Sequence, residues 1–74
     1  MNRFIVSYYS EFEGELHQAR LDAPDELSAV VIFLDSIKQK DAAQVLSDRV
    51  RYPTLASIKE QLNDWDSAIA VMKL

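Results

Sequence analysis

The chain has 74 residues and a mass of 8.5 kDa, and its 49% hydrophobic and 27% charged residues suit one globular domain and exclude a disordered chain. It has no cysteine, which excludes disulfides and thiolate metal sites. Since no apolar run approaches the roughly 18 residues of a membrane span and no apolar leader follows Met1, we expect a cytoplasmic protein that is neither membrane-spanning nor secreted.

The net charge of −4 comes from the first half of the chain: residues 1–37 hold seven acids and two bases, whereas residues 38–74 hold five acids and six bases. Direct nucleic-acid binding is not expected, because it needs clustered Lys and Arg.

The first predicted element is a β-hairpin. Residues 4–12 alternate between apolar and mixed positions, which is typical of a strand, and the only glycine, Gly14, predicts a turn at positions 13 and 14. A loop with an even number of residues sets Leu21 against Val6, whereas an odd loop would place charged residues beside the apolar ones. The even loop therefore predicts a core face made of Phe4, Val6, Tyr8, Phe12, Ala19, Leu21 and Ala23.

The second predicted element is a central helix. The segment Asp22-Ala-Pro-Asp-Glu supplies a capping acid, a proline suited to the first turn and acids that favour a helix start, and we expect the helix to run to about Lys40. Its apolar stripe is wide enough for burial on more than one side. The residues of this stripe are Leu27, Val30, Val31, Leu34 and Ile37, widened by Ala29, Ile32 and Phe33.

The third part, residues 41–52, is ambiguous, and a second clear helix and a strand follow it. We expect a short helix or helical turn first, and then an extended stretch before Pro53 that includes a possible short strand at 49–52. Pro53 or Thr54 starts the second helix, and its stripe is Leu55, Ile58, Leu62 and Trp65. The apolar run Ser67 to Leu74 predicts a shielded last strand, with a place beside the first strand as one option.

These elements predict a small, single-domain, two-layer α+β fold over residues 1–74, in the order ββααβ. The N-terminal hairpin and the C-terminal strand share one sheet, and two main helices pack on it.

No reaction is indicated by the side chains. A triad of Ser10, His17 and Glu15 can be written, but it would need a pocket and an oxyanion hole, which a hairpin tip does not offer. One histidine and scattered carboxylates do not make a tetrahedral zinc site, and the glycines of a phosphate-binding loop are missing. We therefore expect no catalytic, metal or cofactor residues.

Three surfaces are candidates for binding another protein. The acids Glu11, Glu13 and Glu15 crowd the hairpin turn, where they could engage Lys or Arg of a basic partner or simply keep the protein soluble. The second hairpin face, which a helix could also cover, carries Ile5, Tyr9 and Leu16. The third candidate is the group Arg49, Arg51 and Tyr52, near Trp65, which we assign to the core.

In size, acidity and the order hairpin, helix, helix, strand, the whole chain resembles several small phage-encoded inhibitors, including some anti-CRISPR proteins. The resemblance implies a non-enzymatic protein that inhibits by occupying the surface of a host protein, and the acidic charge suits a basic, nucleic-acid-binding one. The alternative is a bacterial or phage accessory protein, structural or regulatory, that homodimerises through the hairpin face or a sheet edge.

Overall fold

The computed structural model describes all residues, 1–74, and has three strands and three helices. In chain order they are β1 (Asn2–Ser10), β2 (Glu15–Ala23), α1 (Glu26–Ile37), α2 (Lys40–Ser47), α3 (Leu55–Asp64) and β3 (Ser67–Lys73). The strands form one antiparallel sheet in the order β2-β1-β3. The predicted α+β class, the hairpin and the shared sheet are confirmed.

The hairpin turn is a four-residue loop that ends at Gly14, whose φ of 67° is the left-handed conformation that glycine adopts without strain. The prediction of an even loop is confirmed, but the predicted register is wrong by two positions: Val6 lies opposite Ala19 and Phe4 opposite Leu21. Because side chains alternate with a period of two, this shift leaves every residue on its predicted face.

Two members of the predicted core face are exposed. Phe12 is 91% exposed, because the turn begins at Glu11 and carries it beyond the paired part of the sheet. Ala19 is also exposed, since it lies on an edge strand, whereas Ala23 at the end of that strand is buried.

Helix α1 begins at a capping residue and ends at a residue with left-handed backbone geometry. The carboxylate of Asp25 accepts a hydrogen bond from the Ser28 amide at 2.8 Å, which is a typical N-cap. The helix ends at Ile37, three residues before the predicted end at Lys40, because Lys38 takes a left-handed φ of 56°. Helix α1 packs against all five other elements, so it is the centre of the fold.

The segment after α1 contains the predicted short helix, α2, but the predicted extra strand at 49–52 is wrong. Asp48 organises a turn there instead: its backbone carbonyl accepts from Tyr52 N at 3.0 Å and its carboxylate accepts from Arg51 N at 3.1 Å. These local bonds use the groups that a strand would need for pairing.

Helix α3 confirms the prediction of a second amphipathic helix. Thr54 and Ser57 form a reciprocal capping box, in which each side chain accepts from the other's backbone amide. Ile58 and Leu62 are buried, and Trp65 directly after the helix packs, partly buried, against the core.

Strand β3 pairs with β1 and forms an edge of the sheet. The prediction of a shielded strand is wrong, because Ser67 and Ile69 are buried whereas Ala68 and Ala70, which alternate with them, are exposed. This alternation arises because the helices cover only one of its faces.

All three helices pack on the same side of the sheet. The buried strand residues that join the core, such as Phe4, Val6 and Ile69, share one face, and the residues that alternate with them lie on the other. The core contains Phe4, Val6, Tyr8, Ala23, Ala29, Val30, Phe33, Leu34, Ala42, Val45, Ile58, Leu62 and Ile69. The alternative in which one helix covers each sheet face is therefore wrong, and one face has no covering element.

Candidate protein-binding surface

The uncovered side of the sheet, which we call the open face, is made of four rows that cross the three strands. Each row is given in the order β2, β1, β3, starting at the hairpin tip: Leu16, Tyr9, Ala68; Gln18, Ser7, Ala70; Arg20, Ile5, Met72; and Asp22, Arg3, Leu74. Leu74 follows β3 and joins the last row because its amide donates to Arg3 O at 2.9 Å. The alternation of β1 that was apparent in the sequence places Ile5 and Tyr9 here.

The sequence candidates Ile5, Tyr9 and Leu16 lie on this face, and β3 adds apolar residues beside them. Tyr9 lies between Leu16 and Ala68, and is 45% exposed. Leu16 and Met72 are 67% and 61% exposed, respectively, and Ile5 is half-buried. Together they form an apolar path that crosses all three strands.

The polar residues of the open face lie toward its β2 side. Arg3 donates to Asp22 at 3.1 Å, and this hydrogen bond and the carboxylate charge raise the pKa of the Arg3 guanidinium above its usual value. Gln18 donates to Ser7 Oγ at 2.9 Å, whereas Arg20 makes no ion pair. Apart from Leu16, the open face therefore changes from polar residues on β2 to apolar residues on β3.

The acidic tip, residues 11–15, does not present its three carboxylates as one row. Glu13 accepts from Gln39 Nε2 at 3.2 Å, and Glu15 lies 3.3 Å from His17 Nε2. The Glu11 side chain makes no ion pair, and its backbone amide donates to Asp66 O at 3.0 Å. Glu11 is thus the tip acid most available to a partner.

A cleft of about 380 Å³ adjoins the acidic tip, and sequence reasoning missed it. It lies between Phe12, which is 91% exposed, and the partly buried Trp65. Its lining residues are Phe12, Glu13, Gln39, Lys40, Asp41, Gln44, Trp65 and Asp66. Gly14 is the sequence signal that could have predicted the exposure of Phe12, because a four-residue turn that ends at this glycine places Phe12 outside the strand.

The third sequence candidate is brought together as a local turn. Arg49 Nε donates to Tyr52 O at 3.2 Å, and the Arg51 guanidinium lies 5.9 Å from the centre of the Tyr52 ring. The Tyr52 hydroxyl donates to Gln61 Oε1 at 2.9 Å, which fixes the turn to α3. Trp65 is not part of this group, since it lines the cleft at the acidic tip.

A buried polar network that the sequence did not indicate joins the sheet to α2. The Tyr8 hydroxyl donates to Gln39 Oε1 at 2.8 Å and also lies 3.2 Å from Ser67 Oγ. Gln39 Oε1 also accepts from Ala42 N at 3.0 Å, so the side chain of Gln39 is the N-cap of α2. Since Gln39 also reaches Glu13, the network holds the acidic tip against the helices.

Burial, and secondarily the nearby charges of Asp41 and Glu13, raises the pKa of Tyr8 above its usual value of 10.0, although the Ser67 hydrogen bond acts in the opposite direction. Above pH 10, tyrosine ionises in the unfolded chain while Tyr8 stays neutral in the folded one, so the unfolded state binds fewer protons. We expect the free energy of unfolding to fall as the pH rises above about 10, and Tyr8→Phe to remove that part of the fall. Urea titrations at several alkaline pH values measure this, with Tyr9→Phe as the control. A slope that Tyr8→Phe leaves unchanged would contradict the assignment.

The residues of the hypothetical triad and the other ionisable groups do not form a reactive cluster. Ser10 is fully buried and its Oγ accepts from Glu13 N at 3.4 Å, while His17 Nε2 makes no hydrogen bond. No three His, Cys, Asp or Glu side chains come together in a group that could hold a metal ion. None of the three helices combines the length and the hydropathy that crossing a bilayer requires.

Comparisons of the chain with protein-family models, with curated proteins and with solved structures found no match.

Proposed function

We propose that this protein is a non-enzymatic protein-binding module that covers the surface of another protein with its open face. The observation that carries the proposal is the clustering of apolar residues on a face without a covering element. Of the eight large hydrophobic side chains that are exposed, four belong to this face: Tyr9, Leu16, Met72 and Leu74. Contiguous apolar surface of this kind is typical of sites that bind proteins.

The acidic tip supports a partner of defined chemistry. Glu11 makes no ion pair, and Glu13 and Asp66 line the cleft beside the exposed ring of Phe12. A partner surface with apolar side chains next to a cluster of Lys or Arg would complement both the open face and this tip. Basic clusters of this kind are typical of nucleic-acid-binding proteins, which are therefore the proposed partner class.

Occlusion is the proposed mode of action. A small module that covers the basic surface of a nucleic-acid-binding protein competes with the phosphates that bind there, and it needs no cofactor and no reaction of its own. This mode agrees with the resemblance to small phage-encoded inhibitors, and we accordingly propose a phage-type inhibitor.

Tyr9→Ala is expected to weaken binding of the partner by more than about 1 kcal/mol, because Tyr9 lies at the centre of the apolar path and large aromatic anchors dominate such interfaces. The partner is first captured on the immobilised wild-type chain and identified. It is then purified, and its dissociation constant for each variant is measured by calorimetry.

Val50→Ala is the matched control, since Val50 is 94% exposed in the turn after α2, away from the open face. Glu11→Lys tests the acidic tip separately and is expected to weaken binding most at low salt. Circular dichroism verifies that each variant is folded. Equal dissociation constants for wild type and Tyr9→Ala would remove the open face from the proposal.

A further inference from the structure

The outer edge of β3 carries backbone groups that have no partner in the chain. At one end of the β1–β3 ladder Glu11 N donates to Asp66 O at 3.0 Å, and at the other Leu74 N donates to Arg3 O at 2.9 Å. Because antiparallel ladders alternate between hydrogen-bonded and non-hydrogen-bonded pairs, the even-numbered residues of β3 bond to β1 and the odd-numbered ones turn their amides and carbonyls outward. These outward residues are Ser67, Ile69, Val71 and Lys73, and β3 has no other neighbouring strand.

The two edges of the sheet differ in how they are protected. The β2 edge carries Gln18, Arg20 and Asp22, and such charged and polar residues discourage pairing with another strand. The β3 edge has no charged residue, proline or glycine from Ser67 to Met72. An edge of this composition is a template for a further strand.

We propose that a second copy of this chain pairs along β3, which joins two three-stranded sheets into one six-stranded antiparallel sheet. A two-fold axis at Ala70, the middle residue of β3, overlaps the full length of the strand. This register also brings outward residues opposite outward residues, Ile69 with Val71 and Ser67 with Lys73 of the second copy. All the free backbone groups of the edge are then paired. The inference goes beyond the partner proposed above and does not depend on it.

Charges near the edge complement each other under this symmetry. Asp66 precedes β3 and Lys73 ends it, so antiparallel pairing brings each Lys73 toward the acidic end of the other copy. On α3, Lys59 and Glu60 lie along the same edge, in a groove of about 320 Å³ that Ser67 and Ile69 also line. The two-fold axis repeats both signs of charge on each side of the junction between the two β3 strands, so neither copy presents an edge of a single charge sign.

The polarity of the open face also agrees with edge pairing, which leaves this face uncovered and makes it continuous across both copies. In one chain the apolar residues Ala68, Ala70 and Met72 lie at the edge, and the polar residues Gln18, Arg20 and Asp22 lie on β2. In the paired sheet the apolar residues of both copies become the centre and the β2 residues become the two outer borders. This arrangement of an apolar centre within a polar rim is the usual anatomy of a protein-binding surface.

Charge substitutions at Ala70 test the axis. Ala70 is exposed, so charged variants leave the core intact, and in the dimer its two copies lie directly opposite each other. Sedimentation equilibrium from low micromolar to near millimolar concentration should show a dimer of the wild type, weakened about fivefold by Ala70→Glu and likewise by Ala70→Lys. Mixing the two variants should restore association as a heterodimer, about tenfold favoured over either homodimer.

Gln18→Glu, in the same row at the opposite edge, is the matched control and should leave the dimer unchanged. Amide hydrogen exchange distinguishes edge pairing from stacking of open faces: edge pairing protects the outward amides of Ser67, Ile69, Val71 and Lys73 as concentration rises, and stacking does not. A monomer at every concentration, an Ala70→Glu dimer as tight as the wild type, or protection of these amides only by a different protein would each overturn the inference.

Discussion

Replacing Phe33 by alanine is expected to remove a large part of the free energy of unfolding. Phe33 is 1% exposed and lies in the core on α1, the helix that packs against every other element. Truncating a buried phenylalanine costs about 3–5 kcal/mol, whereas the whole fold of a domain of this size has only about 4–11 kcal/mol. Urea denaturation followed by circular dichroism should show a midpoint at a much lower urea concentration than that of the wild type, and the melting temperature should fall by at least about 12 °C.

The neighbouring residue provides the control for this prediction. Ile32 precedes Phe33 on the same helix but is 48% exposed, so Ile32→Ala should change the free energy of unfolding by much less, about 0.5 kcal/mol. Both substitutions shorten a large apolar side chain to alanine, and they differ mainly in burial. If the two variants were equally destabilised, the face that α1 turns toward the sheet would be wrongly assigned.

The elements that the sequence predicted correctly are those with a periodic signal and a local start or stop. The alternation around Tyr8 and the helical spacing of Ile58 and Leu62 each repeat over several residues, so the pattern remains detectable when one position departs from it. The hairpin faces were also correct although the register was not. Burial of one face penalises an odd shift strongly but does not choose between two even registers.

The predictions that failed concern single backbone conformations and the competition between local bonds. Lys38 takes a positive φ of 56° although it is not a glycine, so the C-terminal end of α1 carries no compositional signal. The strand expected at 49–52 is absent because Asp48 accepts two local hydrogen bonds from the backbone. Alternating side chains do not indicate whether the backbone forms local turn hydrogen bonds or pairs with another strand.

About half of the open face could be predicted from the sequence. Ile5, Tyr9 and Leu16 belong to one hairpin, so local alternation placed them together. The apolar contribution of Ala70 and Met72 depends on pairing between β1 and β3, strands that are far apart in the chain. Strand order follows from the packing of the whole domain, and therefore the apolar path across the sheet became apparent only with the fold.

The polar network around Gln39 was not predicted either, because a glutamine at a helix start is an uncommon cap and its partner Tyr8 lies 31 positions away. The contacts explain why a polar residue is almost fully buried, at 7% exposure, between α1 and α2. One amide group accepts from Tyr8 and from the backbone of α2 and donates to Glu13 in the acidic tip. Gln39 therefore couples the position of the tip to the stability of the helical layer.

Gln39→Ala is accordingly expected to destabilise the fold by about 2 kcal/mol, through loss of the α2 cap and of the 2.8 Å acceptor of the Tyr8 hydroxyl. Tyr8 is 0% exposed, so its hydroxyl would keep only Ser67 as a partner. Gln44→Ala, an exposed glutamine of the same helix, is the control and should have little effect.

A double-mutant cycle separates the network from simple loss of contacts. Tyr8→Phe alone removes a donor and is expected to cost about 1 kcal/mol. Gln39→Ala alone leaves the buried Tyr8 hydroxyl without one of its partners, and adding Tyr8→Phe removes that hydroxyl. The free energy of unfolding of the double variant should therefore fall by less than the sum of the two single losses. Urea denaturation of all four proteins measures the coupling. Strictly additive losses would mean that Tyr8 and Gln39 stabilise the fold independently.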